Sequence, residues 1–273
     1  MNKHILRKRA PASFAARTAS AASGTLAALA AAAMLASTPA MAAGPALVDF
    51  DDGMQGWQPI SAAVGGYSAI DRMLGDGSLA FHGSSPGFGY GLVNSANAAF
   101  TGDYTAMKSM TISLDMTVAE LATFQGGMPL QRELILELRD YDKPGGMYGF
   151  SSVWISLGVV GAGQPARQHF SVTIGDTSSL TLPGGWHGAG AIDAEGNMGL
   201  PAGQTFQRIL QDVDEISIST FMPGYFYATS YFDASVDNIR ISAVPEPSQW
   251  GMMAAGLGLL GLTARRRREP RLG

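Results

Sequence analysis

Hydrophobic and polar positions alternate with period two along much of the central chain. Met110, Ile112, Leu114, Met116 and Val118 share one parity, and Thr111, Ser113, Asp115 and Thr117 the other, which is the pattern of a strand with one buried face. Leu134, Leu136 and Leu138 against Glu137 and Arg139 repeat it, as do Phe170, Val172 and Ile174, then Ile216 and Ile218. Val153 to Val159 is more continuously apolar and suits a strand covered on both faces. Helical spacing occurs at Phe206, Ile209, Leu210 and Val213, after Pro201 and a capping residue at Thr205. Many strands separated by glycine-rich turns, with one short helix, predict an all-β, antiparallel β-sandwich over residues 43–243. Neither the strand–helix alternation of a parallel sheet nor the period of a repeat array is present.

The two ends of the chain carry different patterns. Lys3, Arg7, Lys8, Arg9 and Arg17 precede an apolar run from Leu26 to Ala36 and then Ala40-Met41-Ala42, a small-x-small cleavage site. Residues 1–42 are therefore expected to be a signal peptide removed by signal peptidase. At the other end, Val244-Pro245-Glu246-Pro247 opens an uncharged run of 18 residues from Pro247 to Ala264, followed by Arg265, Arg266, Arg267 and Arg268. As a helix the run spans about 27 Å, close to a ~30 Å hydrocarbon core. A transmembrane helix over about 248–264 is expected, with the arginines held on the cytoplasmic side and the rest of the chain exported.

Pro245-Glu246-Pro247, a short apolar helix and a terminal arginine cluster together resemble the PEP-CTERM sorting signal. The resemblance covers about thirty residues, 244–273. It implies recognition by an exosortase, transient anchoring in the inner membrane, processing near the Pro-Glu-Pro, and delivery to the cell surface or exopolysaccharide matrix. It implies nothing about the domain ahead of it.

Charge separates the segments further. The formal net charge is −4, but the two ends hold 10 of the 18 basic residues and only 2 of the 22 acidic ones, so the exported domain stands at −12. Such a surface disfavours nucleic acid and anionic lipid, and is compatible with Ca2+ or neutral polysaccharide. With no cysteine in the chain, the domain relies on its core alone.

Most candidate chemistry fails on geometry. Gly83-Ser84-Ser85-Pro86-Gly87 matches a nucleophile elbow, but the residue that must lend an N–H to the oxyanion is Pro86, which has none. Glu133 and Glu137 on one strand face stand about 13 Å apart, beyond the roughly 5–9.5 Å of glycosidase pairs. His82, His169 and His187 have no ligand spacing. Asp193, Glu195 and Asn197 alternate like a calcium loop, but Gln204 stands where a bidentate Glu is needed.

Two candidates survive. The domain opens Phe50-Asp51-Asp52-Gly53 to Gly56-Trp57 and closes Asp237-Asn238-Ile239-Arg240-Ile241, which resembles the galactose-binding-like jelly-roll modules. The stretch from Ser109 through Phe206 to Ile239 is similar, more narrowly, to laminin B (domain IV) modules. That resemblance implies adjacent first and last strands, which would bring Asp49, Asp51 and Asp52 near Asp233 or Asp237 as a calcium site. The second candidate is aromatic. Tyr225, Tyr227 and Tyr231 crowd one segment around Pro223-Gly224, and with Trp186 they form a candidate surface for stacking on sugars. The reading is a non-catalytic structural or carbohydrate-binding module, and the competing class is a secreted polysaccharide-acting enzyme built from sandwich loops.

Overall fold

The computed structural model describes residues 45–60, 67–72, 79–143 and 149–243. The expected signal peptide and the tail from Val244 onward lie outside these. In chain order the strands are β1 (Ala46–Val48), β2 (Trp57–Pro59), β3 (Tyr67–Arg72), β4 (Leu79–Gly87), β5 (Gly91–Asn94), β6 (Met110–Thr123), β7 (Gln131–Asp140) and β8 (Ser151–Gly161). They continue with β9 (Arg167–Ile174), β10 (Trp186–Ala189), β11 (Ala191–Ile192), β12 (Met198–Gly199), β13 (Glu215–Ser219) and β14 (Ser230–Ala243). The helix α1 (Phe206–Leu210) sits before β13, and the Thr205 hydroxyl caps it by accepting from the Arg208 N–H at 3.2 Å.

The strands form two six-stranded antiparallel sheets and a small β11–β12 hairpin. The first sheet runs β3-β4-β14-β6-β9, with β1 also on β14; the second runs β10-β8-β7-β13-β5-β2. This is the antiparallel β-sandwich that the alternation predicts. Leu134, Leu136, Leu138, Ile216 and Ile218 of the second sheet meet Met110, Ile112, Leu114, Met116 and Val236 of the first in one core, with Phe206, Ile209, Leu210 and Val213. Burial of that many large side chains, at about 25 cal/mol per Å², is the main force holding the layers together.

The first and last strands do lie together, Ala46 to Val48 pairing with Ile241 to Ile239. On β14, Phe232, Ala234 and Val236 point inward, and so do Ile239 and Ile241, which have the opposite parity. A register shift between Asp237 and Arg240 reconciles them, and Asn238 sits there at φ 52°. Asparagine tolerates this left-handed conformation, so the Asp-Asn-Ile sequence is a β-bulge that returns the strand's apolar residues to the core.

Candidate functional site

The outward face of the second sheet gathers a cluster of buried polar groups, among them Glu137, Ser152, Glu215 and Ser217. Reading across the strands, His187, Trp154, Glu137, Ser217 and Val93 lie in one row. Ser152, Arg139 and Glu215 form the next. Their strand neighbours Val153, Leu138 and Ile216 face the core, so period two places this set on the opposite face.

Arg139 is the centre of the floor. Its guanidinium donates to Glu137 Oε2 at 2.6 and 2.9 Å and to Glu215 Oε1 at 2.6 Å. Ser152 Oγ donates to Glu137 Oε1 at 2.6 Å, Tyr141 Oη donates to Glu215 Oε1 at 3.0 Å, and the Phe150 ring lies 5.0 Å from the guanidinium. Burial opposes the charge on Arg139, but the two carboxylates overcome it and hold the guanidinium above its ordinary pKa. The charges are fully committed to one another.

Trp154 and His187 are stacked at 4.5 Å with their planes 22° apart. Trp154 packs with Ile135 and Ala189 under Met198 and Met222, and is 8% exposed. Its Nε1 and the Ser217 Oγ are buried with no hydrogen-bond partner. A lost or unmade buried hydrogen bond costs about 1–3 kcal/mol, so these atoms are costly unless something pairs with them.

The segment from Phe221 to Ala228 crosses above this floor. Met222-Pro223-Gly224-Tyr225 closes with a Tyr225 N–H to Met222 O bond of 3.1 Å, and Gly224 has φ 86°, the type II turn that Pro then Gly dictates. Tyr227 is held by Arg132, whose guanidinium lies 4.3 Å from the ring centroid and donates to Ala228 O at 3.2 Å and to Phe88 O. Tyr225 and Phe226 project outward, 67% and 99% exposed. A groove of about 730 Å³ lies on one side, lined by Trp154, His187, Glu133, Met222 and Tyr225. A smaller one of about 370 Å³ lies on the other, between Phe88, Phe221, Phe226 and Arg139.

The sequence candidates are redistributed. Tyr225 and Tyr227 do line the grooves. Tyr231 is on the other sheet, paired with Pro86 and Ala122 and lying 5.1 Å from the Phe124 ring. Trp186 does not belong to the surface: it is 6% exposed and its ring meets Phe206 at 5.1 Å in the core. The neighbouring His187 takes the outward position instead, because adjacent strand residues face opposite ways.

The carboxylates also separate. Asp49 is near enough to Asp237 to raise its pKa, whereas Asp233 is opposite Ser84 and Glu120, and Asp51 and Asp52 are exposed. Among the described residues no group of three or more His, Cys, Asp or Glu is placed to hold a metal ion, so the five aspartates do not converge on one calcium. Asp193 closes the β11–β12 turn by accepting from the Glu195 and Asn197 N–H groups at 3.0 and 2.7 Å. The Gly83–Gly87 stretch lies within β4, without the strand-to-helix turn of a nucleophile elbow.

At the C-terminal end, residues 243–268 match the family model described as the PEP-CTERM protein-sorting motif. These residues are a PEP-CTERM sorting motif. The chain is thus an exported protein bearing the signal for exosortase processing at the surface. No curated protein matches it.

Among solved structures the chain is similar to an exo-β-agarase at 14% identity and TM-score 0.42, covering 74% of this chain and 26% of that one. It is also similar to the CBM22-2 xylan-binding domain from Paenibacillus barcinonensis Xyn10C, at 10% identity and TM-score 0.37, covering 73% and 99%. A third is Caldicellulosiruptor saccharolyticus CBM27-1 in complex with mannohexaose, at 10% identity and TM-score 0.35, covering 74% and 99%. The chain spans about a quarter of the agarase and nearly the whole of the two modules.

Proposed function

We propose that residues 43–243 form a non-catalytic module that binds a neutral polysaccharide on the outward face of the second sheet. In this reading the 1–42 signal peptide and the 244–273 tail deliver it to the cell surface or exopolysaccharide matrix, with signal peptidase and exosortase as processing partners. The observation that carries the binding reading is the groove beside Trp154. It combines a stacked Trp154–His187 pair, exposed Tyr225 and Phe226, and an unpartnered buried indole N–H on Trp154. Aromatic surface with a few placed donors is what a sugar ring, apolar on its faces and hydroxylated at its rim, requires.

The electrostatics favour a neutral ligand. Arg139 is spent on Glu137 and Glu215, and Arg132 on backbone carbonyls and Tyr227. Glu133 lines the same groove, so a uronate chain would meet negative charge with neither arginine free to compensate it. The same pairing argues against hydrolysis. A glycosidase needs one carboxyl protonated and a second free to act on the other side of the bond; here Glu137 and Glu215 share one guanidinium.

Affinity electrophoresis of the full chain through gels containing xylan, galactomannan, a soluble cellulose ether or polygalacturonate tests this directly. Retardation by a neutral polymer and not by polygalacturonate supports the reading; retardation by polygalacturonate alone, or by none, overturns it. For the tail, intact mass of the protein from its own host should show loss of residues beyond Pro245. A variant with Pro245, Glu246 and Pro247 replaced by alanine should keep Arg265 to Arg268 and stay at the membrane.

A further inference from the structure

The segment that crosses the floor is fixed at both ends and loose between them. At one end the Thr220 N–H donates to Tyr90 O at 2.8 Å, and the Thr220 hydroxyl accepts from the Tyr90 N–H at 3.0 Å. At the other, Arg132 holds Ala228 O and the Tyr227 ring. Phe221 N–H also reaches Ser219 Oγ at 3.2 Å; beyond it, the hydrogen bonds given by Met222 and Tyr225 stay within the segment, Tyr225 N–H to Met222 O at 3.1 Å and Met222 N–H to Tyr227 Oη at 3.3 Å. What holds the middle to the sheet is apolar contact. Met222 and Met198 pack on Trp154, and the Cβ position of Gly224 abuts the Met198 side chain.

The cluster beneath the segment contains an unpartnered donor. Trp154 Nε1 is buried and unpartnered while the two methionines lie over its cluster. In this closed form the indole N–H has surrendered its bond to water and gained none. Lifting the segment returns that donor to solvent or to a ligand hydroxyl. Methionine contacts re-form readily after such a movement because the side chain is unbranched and adaptable.

We propose that Met222–Phe226 is a displaceable strap, and that a glycan enters by lifting it and accepting a hydrogen bond from Trp154 Nε1. This rests on the glycan-binding reading above. Trp154 is then a specificity-determining donor, and the closed strap sets the apparent affinity through the fraction of molecules in which it is open.

The geometry supplies its own lock. A Cβ built at Gly224 lies 4.0 Å from Met198 Cβ, within the spacing of about 3.5–4.5 Å that a disulfide needs. The natural chain has no cysteine to interfere. The full chain carrying Met198→Cys and Gly224→Cys is compared oxidised and reduced, with its tryptophans labelled for 15N indole spectra. Two readouts are taken: solvent exchange of the Trp154 indole N–H, and titration with xylohexaose, mannohexaose and cellohexaose.

Oxidation is expected to slow the indole exchange at least tenfold and to weaken hexasaccharide binding at least tenfold, both reversed by dithiothreitol. Equal exchange in the two forms, with the disulfide confirmed by mass, overturns the strap whatever the binding. Altered exchange with no hexasaccharide bound by the wild-type or reduced protein leaves the movement standing and sinks the glycan. Should a side chain at the positive-φ position Gly224 prevent folding, Met222→Ala serves instead. It should speed indole exchange at least threefold, and unchanged exchange counts against the strap.

Discussion

On the outward face of the first sheet, Asp115 accepts from Asn238 Nδ2 at 2.9 Å and meets His169 Nδ1 at 2.7 Å, with the His169 side chain 63% exposed. On the outward face of the second, Glu137 and Glu215 meet Arg139 at 2.6 Å, and Glu137 is only 5% exposed. Both faces present charged residues at the positions that period two assigns outward. They differ in cover and in what is covered. The first buries small hydroxyls and one carboxyl, Thr117, Ser235 and Asp237, but leaves its His169–Asp115 pair to solvent, where ion pairs are worth at most about 1 kcal/mol. The second lies beneath an aromatic crossing, where each polar group must find a partner or a ligand. Function is therefore sought where cover and polarity coincide.

The comparison is broken most severely at Arg139. Arg139→Met leaves Glu137 and Glu215 buried without a cation and should cost about 3–5 kcal/mol. Thermal unfolding should show it as a fall of roughly 6–20 °C. A neutral result would mean that the floor is wetter than its geometry indicates.

Trp154→Phe sharpens the contrast by removing the orphan donor, together with part of the indole packed against Ile135 and Ala189. Relief of the unpaired donor offsets part of the cavity cost, so stability should fall by no more than about 1–2 kcal/mol, while affinity for the neutral glycan should fall about 5- to 30-fold if one hydrogen bond of about 1–2 kcal/mol is lost. Calorimetric titration beside a melting curve separates the two effects. Tyr225→Ala acts at the rim. Its side chain is largely exposed, so melting should be unchanged and affinity should fall by about 1 kcal/mol, or roughly fivefold.

The first face should respond weakly, and in a pH-dependent way. Burial, with Asp115 and Asp49 nearby, raises the Asp237 carboxyl above its ordinary pKa despite the Asn238 backbone bond that lowers it. A native carboxyl that binds its proton more tightly than the unfolded chain does contributes stability in acid. That contribution is lost as pH rises from the ordinary aspartate value through the raised one. With solvent screening allowed for, Asp237→Asn should therefore gain up to about 1 kcal/mol at pH 7, with the gain gone below about pH 4. His169→Ala, at an exposed pair, should move stability by less than about 0.5 kcal/mol and glycan binding not at all.

Much of the sandwich was legible because its core is written in period two. Met110 to Met116, the Leu134–Leu138 triplet and the Thr205-capped helix all appear as the alternation and spacing predict. The alternation of Met110 to Val118 weakens at its end, where a register shift on β6 accompanies a half-buried Val118. Val153 to Val159 is covered on both faces only at its start, where Trp154 lies under Met222.

The site was less legible, for a physical reason. Stacking residues and core residues are the same aromatic types, and only strand parity separates them. Trp186 and His187 are adjacent, yet one faces Phe206 and the other Trp154. Glu137 was weighed against Glu133 because both were visible on one strand. Its actual partners are Arg139, two residues along the same face, and Ser152 on β8. The Glu-x-Arg spacing was readable, but Glu215, 76 residues from Arg139, was not. The same limit applies to the aspartates: the resemblance implied one cluster, but the β14 register sets Asp233 and Asp237 at separate places along the strand.

The most direct test of the account is calorimetric titration of the full-length protein with the hexasaccharide of whichever neutral polymer retards it, for wild type, Tyr225→Ala and Asp115→Asn. The account predicts weaker binding for Tyr225→Ala and wild-type binding for Asp115→Asn. Loss of binding in Asp115→Asn with Tyr225→Ala unaffected would place the ligand on the first sheet and contradict it.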